Sequence, residues 1–89
     1  MSEAHIFYSG RVQGVGFRYT VQSLARPLKL CGWVKNLADG RVEIKAQGPK
    51  EKVEQLMQAI DDHFDREIKE KAVSWSEVKE IYRDFQIAW

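Results

Sequence analysis

The spacing of apolar residues changes several times along this chain, and each change marks an element. Residues 5–11 read as a strand, with Ile6 and Tyr8 on one face and His5 and Phe7 on the other. Ile6 and Tyr8 are expected to face the helices. From Phe17 to about Leu28 the spacing turns helical, with Val21, Leu24, Ala25 and Leu28 in one stripe. Pro27 should end or kink that helix, because proline lacks an N–H to continue it. Residues 30–36 read as a second strand, followed by a hairpin turn at Leu37-Ala38-Asp39-Gly40, where Asp-Gly is the turn signal. A third strand, Arg41 to Gln47, alternates: Val42, Ile44 and Ala46 inward, Arg41, Glu43, Lys45 and Gln47 outward. That alternation predicts a sheet with one packed face and one wet face.

Gly48-Pro49 opens a second helix, with proline suited to the first turn. Its apolar stripe is Val53, Leu56, Met57, Ile60 and Phe64. Asp65 to Lys71 is charged and reads as a connector. Residues 72–89 are ambiguous by pattern. Val78, Ile81, Tyr82 and Phe85 are spaced like a helix face, whereas Phe85, Ile87 and Trp89 alternate like a strand.

The order β-α-β-β-α-β suggests a split βαβ unit on one antiparallel sheet. In that topology strands one and two run parallel, with strand three between them. Parallel strands end at the same edge of a sheet. The loop after strand one, the start of helix one and Asn36 at the end of strand two therefore converge.

That loop is Gly10-Arg11-Val12-Gln13-Gly14-Val15-Gly16-Phe17-Arg18. Glycine lets the backbone bend and leaves no Cβ in the way of a ligand. The first turn of a helix has free N–H groups and partial positive charge, so it attracts anions. An arginine there is electrostatically misplaced unless an anion sits between it and the loop amides. The stretch reads as a phosphate-sized site, with the amides of Val12, Gln13, Gly14, Val15, Gly16 and Phe17 and the guanidinium of Arg18 as donors. It is not a nucleotide triphosphatase loop, which needs Gly-Lys followed by Ser or Thr. It is not a dinucleotide fingerprint either, because Tyr19 stands where the third glycine belongs.

Eighty-nine residues suggest one domain over 1–89. With a net charge of +1 there is no basic field to hold nucleic acid. The outward face of strand three also lacks the aromatics of an RNA-binding sheet. The single cysteine, Cys31, cannot form an internal disulfide, which fits a cytoplasmic protein. No apolar run approaches membrane-spanning length. His5 and His63 have no ligand cluster around them, so no metal is expected.

The residues alone leave alternatives. Arg18 is either an anion ligand or a surface arginine paired with a carboxylate. Asn36 is either a site residue or a shaper of the following turn. Arg11 and Arg41 read first as solvated. Tyr19 and Trp33 either flank the site or pack on the sheet.

The stretch GRVQGVGFR resembles the anion loop of the acylphosphatase family without internal gaps. Gly32-Trp33-Val34-Lys35-Asn36 with Asp39-Gly40-Arg41-Val42-Glu43 resembles its second block, and Phe85-Gln86-Ile87 its closing strand. The resemblance implies a ferredoxin-like α/β (α+β) sandwich, with two helices on one face of an antiparallel sheet. It implies a fourth strand at roughly 73–82, bulged because no single alternation fits it, and a short fifth at 84–88. It implies hydrolysis of acyl phosphates to a carboxylate and phosphate, with no metal and no cofactor. Arg18 would then bind phosphate and Asn36 would hold the attacking water. The partner would be a small acyl phosphate, with no nucleic acid and no membrane, and nothing demands more than a monomer. Lys29 stands where that family often has a helix-ending glycine, so this helix end is expected to differ in shape. A rival reading is a non-catalytic anion-binding module, since related domains occur within larger carbamoyl-transfer proteins. Its stand-alone length and the presence of both Arg18 and Asn36 weigh against that.

Overall fold

The computed structural model describes residues 1–89. Its elements are β1 (Ser2–Gly10), α1 (Phe17–Ala25), β2 (Cys31–Asn36), β3 (Val42–Gly48), α2 (Lys50–His63), β4 (Ile68–Glu77) and β5 (Phe85–Ala88). The strands form one sheet in the order β4-β1-β3-β2-β5. β3 lies antiparallel between β1 and β2, so those two run parallel as expected. β5 adds alongside β2 in parallel, which makes the five-stranded sheet mixed. This is a ferredoxin-like fold with a fifth strand.

The core forms where the inward strand residues meet the helix stripes. Ile6, Tyr8, Val34, Val42, Ile44 and Ala46 are fully buried with Val21, Ala25, Val53, Leu56 and Ile60. Each buried Val, Leu or Ile side chain among them contributes about 1.5–3 kcal/mol through its removal from water. The α2 stripe is as predicted, with Met57 and Phe64 also buried. α1 is shorter than its pattern: the regular helix stops at Ala25, two residues before Pro27, and Leu24 and Leu28 are only partly buried. Lys29 nevertheless takes the left-handed conformation (φ 58°). The amides of Lys29 and Leu30 then bond back to the carbonyls of Arg26 and Ala25. The helix end keeps the shape that a glycine would give, at a cost of roughly 1–2 kcal/mol for a residue with a Cβ.

The last third of the chain corrects the pattern. Asp65 to Lys71 is not all connector, because β4 starts at Ile68 and ends at Glu77. Strand four is therefore 68–77 and not 73–82, and no bulge lies within 73–82. The irregularity falls at the other end, where Ser9 pairs with Glu70 and Gly10 with Ile68, leaving Lys69 as the extra residue. A Cβ on Gly10 (φ 121°) would lie 2.3 Å from the Glu67 carbonyl oxygen, so only glycine fits this close approach. That junction also fixes the root of the anion loop, since the Arg11 amide donates to the same carbonyl at 2.9 Å.

The outward sheet face is not uniformly wet. Gln47 is buried because the segment joining β4 to β5 crosses over it. Its Nε2 donates to Glu3 Oε1 and to the Glu80 carbonyl, and its Oε1 accepts from the Tyr82 amide. The crossing segment delivers the chain to β5, and so to the site.

Candidate functional site

The anion loop is held at both ends and free in the middle. Val12 and Phe17 are buried in the core, while Gly14, Val15 and Gly16 are exposed between them. Gly14 and Gly16 both take φ 77°, and Gly16, at the helix N-cap, is left-handed. These two positive φ values let the loop turn tightly, which glycine allows at little cost.

None of the amides from Val12 to Tyr19 donates to a backbone carbonyl or a side chain of the chain. α1 has no capping side chain and no acidic residue in its first turn. Backbone donors in such numbers seek an acceptor, and a helix start favours an anionic one.

The loop lines a cleft of about 290 Å³ with Val12, Gly14, Gly16, Phe17, Arg18, Tyr19, Asn36, Ile87 and Trp89. Arg18 and Asn36, far apart in sequence, thus share one cavity with the loop. Gln13 and Val15 do not line it. The Gln13 side chain turns the other way. Its Nε2 donates to the Leu37 carbonyl at 2.8 Å and the Arg41 carbonyl at 3.0 Å. This ties the loop to the hairpin that begins right after Asn36, and so fixes the span between them. Gln13 was expected to act through its amide; its side chain is a staple that the sequence pattern did not reveal.

Asn36 ends β2, opposite Val42. Its Oδ1 is buried and has no hydrogen-bond partner. A buried acceptor left unpaired costs about 1–3 kcal/mol, so it calls for an explanation such as a water or ligand. Asn36 does not serve as the turn former: the turn is closed by Leu37 and Arg41, with Asp39 Oδ1 accepting from the Arg41 amide. That amide, followed by the Arg41 side chain, holds the Asp39 carboxyl below its ordinary range.

Arg18 is half-buried and takes part in none of the chain's four ion pairs. Its guanidinium carbon lies 4.2 Å from the centre of the Trp89 ring, and its Nη1 donates to the Ala88 carbonyl at 3.4 Å. Tyr19 flanks the cleft and is 70% exposed, whereas Trp33 sits across from Lys45 and does not line it. Arg41 pairs with Asp39 and stacks on Phe7, away from the cleft, and Arg11 does not line it. Ile87 and Trp89 were not singled out as site residues. Only the parallel pairing of β5 with β2 brings them there, and pattern alone could not supply it.

No helix is long and apolar enough to cross a membrane. The sequence profile of the acylphosphatase family matches residues 4–87. An acylphosphatase of Bacillus velezensis is 55% identical over 60 residues, 67% of each chain. One from a Roseiflexus species is 37% identical over all of this chain and 97% of its own. The crystal structure of an acylphosphatase from Bacillus subtilis superposes with a TM-score of 0.93 at 42% identity, covering all of both chains. With the loop, the sheet order and these likenesses together, the chain belongs to the acylphosphatase family of hydrolases.

Proposed function

We propose that this chain hydrolyses small acyl phosphates without a metal, using the Val12–Phe17 amides, Arg18 and Asn36. The observation that carries the reading is the shared cleft. Val12, Gly14, Gly16 and Phe17, whose amides are unpaired, Arg18, a cation without a counter-ion, and Asn36, whose buried Oδ1 has no donor, all line one 290 Å³ space. Each lacks a partner that an acyl phosphate with its attacking water would supply.

An acyl phosphate is a mixed anhydride. Its leaving group is a carboxylate whose conjugate acid has a pKa of about 4, by analogy with Asp and Glu. Such a group departs without prior protonation, so no general acid is required. Phosphoryl transfer depends mainly on position and on stabilising charge at the equatorial oxygens. The loop amides and the Arg18 guanidinium are donors of that kind, already oriented before substrate arrives.

The Asn36 Oδ1 accepts a hydrogen from water and leaves a water lone pair directed at phosphorus. The new P–O bond forms as the bond from phosphorus to the acyl oxygen breaks, and its electron pair leaves with the carboxylate. Asparagine is too weak a base to keep the proton, so the proton passes to a phosphoryl oxygen. The products are a carboxylate and inorganic phosphate. All the named residues come from one copy of the chain, so the reading requires only a monomer, acting on a small anion of the cytoplasm.

The test is phosphate release from acetyl phosphate and from an aryl acyl phosphate by chelator-treated protein. The expected result is turnover of at least one substrate, unchanged by the chelator. Folded protein that turns over neither, or that needs a divalent cation to do so, contradicts the proposal.

A further inference from the structure

An arginine in the first turn of α1 is poorly placed by its own helix, because the helix N-terminus repels positive charge. It also carries about 2 kcal/mol of rotamer entropy. Left alone, its guanidinium would spend much of its time in solvent. The usual restraint is a carboxylate, but a carboxylate would neutralise the charge and compete with a phosphoryl group. Arg18 has none in an ion pair. Its two neighbours are neutral: the Ala88 carbonyl, at a long 3.4 Å, and the Trp89 ring, 4.2 Å from the guanidinium carbon.

We infer that Trp89 is a positioning residue, whose ring face holds the Arg18 guanidinium over the anion loop without cancelling its charge. The inference rests on the phosphate-binding reading above and adds a residue to it. The aromatic quadrupole attracts a cation and leaves the N–H donors at the guanidinium edge free. With one donor spent on Ala88, four of the five remain for oxygens.

The strand pairing explains how Trp89 reaches this place. β5 pairs with β2 through Ala88 opposite Lys35, the residue before Asn36. The Phe85 carbonyl is pinned to α1 by Gln22 Nε2 at 3.0 Å. The register that sets Asn36 therefore also sets Trp89, and both line the cleft. Trp89 is 87% exposed, so its ring buries little apolar surface while it lies against the Arg18 guanidinium.

The experiment measures inorganic phosphate affinity in the wild type, W89F, W89L and R18A, together with kcat and KM for an acyl phosphate. Phosphate has no acyl group, so it reports on the anion site alone. W89L is expected to bind phosphate about two- to fivefold more weakly, the scale of an exposed cation–π contact. W89F should stay within about twofold of the wild type, since it retains an aromatic face. Thermal midpoints should not change. The Arg18 Nε–H resonance should lose its ring-current shift in W89L. Equal phosphate affinity in wild type and W89L overturns the inference, as does a loss in W89F equal to that in W89L. A loss seen with acyl phosphates but not with phosphate also overturns it, because Trp89 would then touch the acyl group. If wild type and R18A bind phosphate equally, the site reading itself fails and takes the inference with it.

Discussion

The two helices of this protein begin in contrasting ways. α1 starts after a loop with two left-handed glycines, and its amides from Val12 to Tyr19 have no acceptor within the chain. α2 comes almost directly off β3, through Pro49. Proline has no N–H to offer, and its carbonyl accepts from the Lys52 amide at 2.9 Å and the Val53 amide at 3.1 Å, which leaves only the amides of Lys50 and Glu51 without an acceptor in the chain. Glu51 adds an acid to the first turn of α2, whereas α1 has none. Both helix starts carry positive side chains, so charge alone does not make an anion site. What distinguishes α1 is that a longer run of amides without acceptors precedes it, on a loop that shares a cleft with Asn36, whose buried Oδ1 is unpaired.

The largest expected effect of breaking this contrast is at the charge and the acceptor. Arg18→Ala and Asn36→Ala should each lower kcat/KM for an acyl phosphate by about 10²- to 10³-fold. The far-ultraviolet spectrum and thermal midpoint should stay close to wild type. The matched change at the other helix, Glu51→Gln, should leave turnover alone and cost only about 0.3–1 kcal/mol of stability. Full activity in either site variant refutes the role assigned to that residue.

A smaller effect is expected at the staple. Gln13→Ala removes two side-chain bonds, but the Leu37 and Arg41 carbonyls each keep a backbone donor. Chemical denaturation should show a loss of about 1 kcal/mol. Turnover should fall by about tenfold or more, because the loop is no longer tied to the Asn36 hairpin. Unchanged turnover would mean that the span is set elsewhere.

The smallest effect tests the frame beneath the site. Burial, with the Asp61 carboxylate beside it, pushes the Tyr8 hydroxyl far above its ordinary range. The unfolded phenol titrates near pH 10. Above that pH the unfolded chain releases a proton that the fold retains, so stability falls as pH rises. Between pH 10 and 11 the wild type should lose about 1 kcal/mol more than Tyr8→Phe. Parallel losses in the two proteins would show that Tyr8 ionises in the fold.

Much of this was legible in the sequence, for reasons that are local. The loop announces itself through glycines beside a misplaced arginine, and β3 and α2 through unbroken periodicity. β4 was misread because it is an edge strand, paired only with β1 and mostly exposed. Charges such as Lys69, Glu70 and Lys71 suit a strand edge, but they look like a connector when read alone. The extra residue at Lys69 also puts Ile68 and Val73 on the same face although they are five apart, which defeats any strict alternation. Gln13 and Trp89 were illegible for a different reason. Their roles depend on partners, the Leu37 and Arg41 carbonyls and the Arg18 guanidinium, that only the folded sheet brings near.

The most direct test of the central claim is a titration of the folded protein with inorganic phosphate, followed by amide and arginine side-chain NMR. The amides from Val12 to Tyr19 and the Arg18 guanidinium should shift together along one saturable curve, while those from Lys50 to Val53 stay still. Shifts centred on the start of α2, or a loop response that survives intact in Arg18→Ala, would contradict the account.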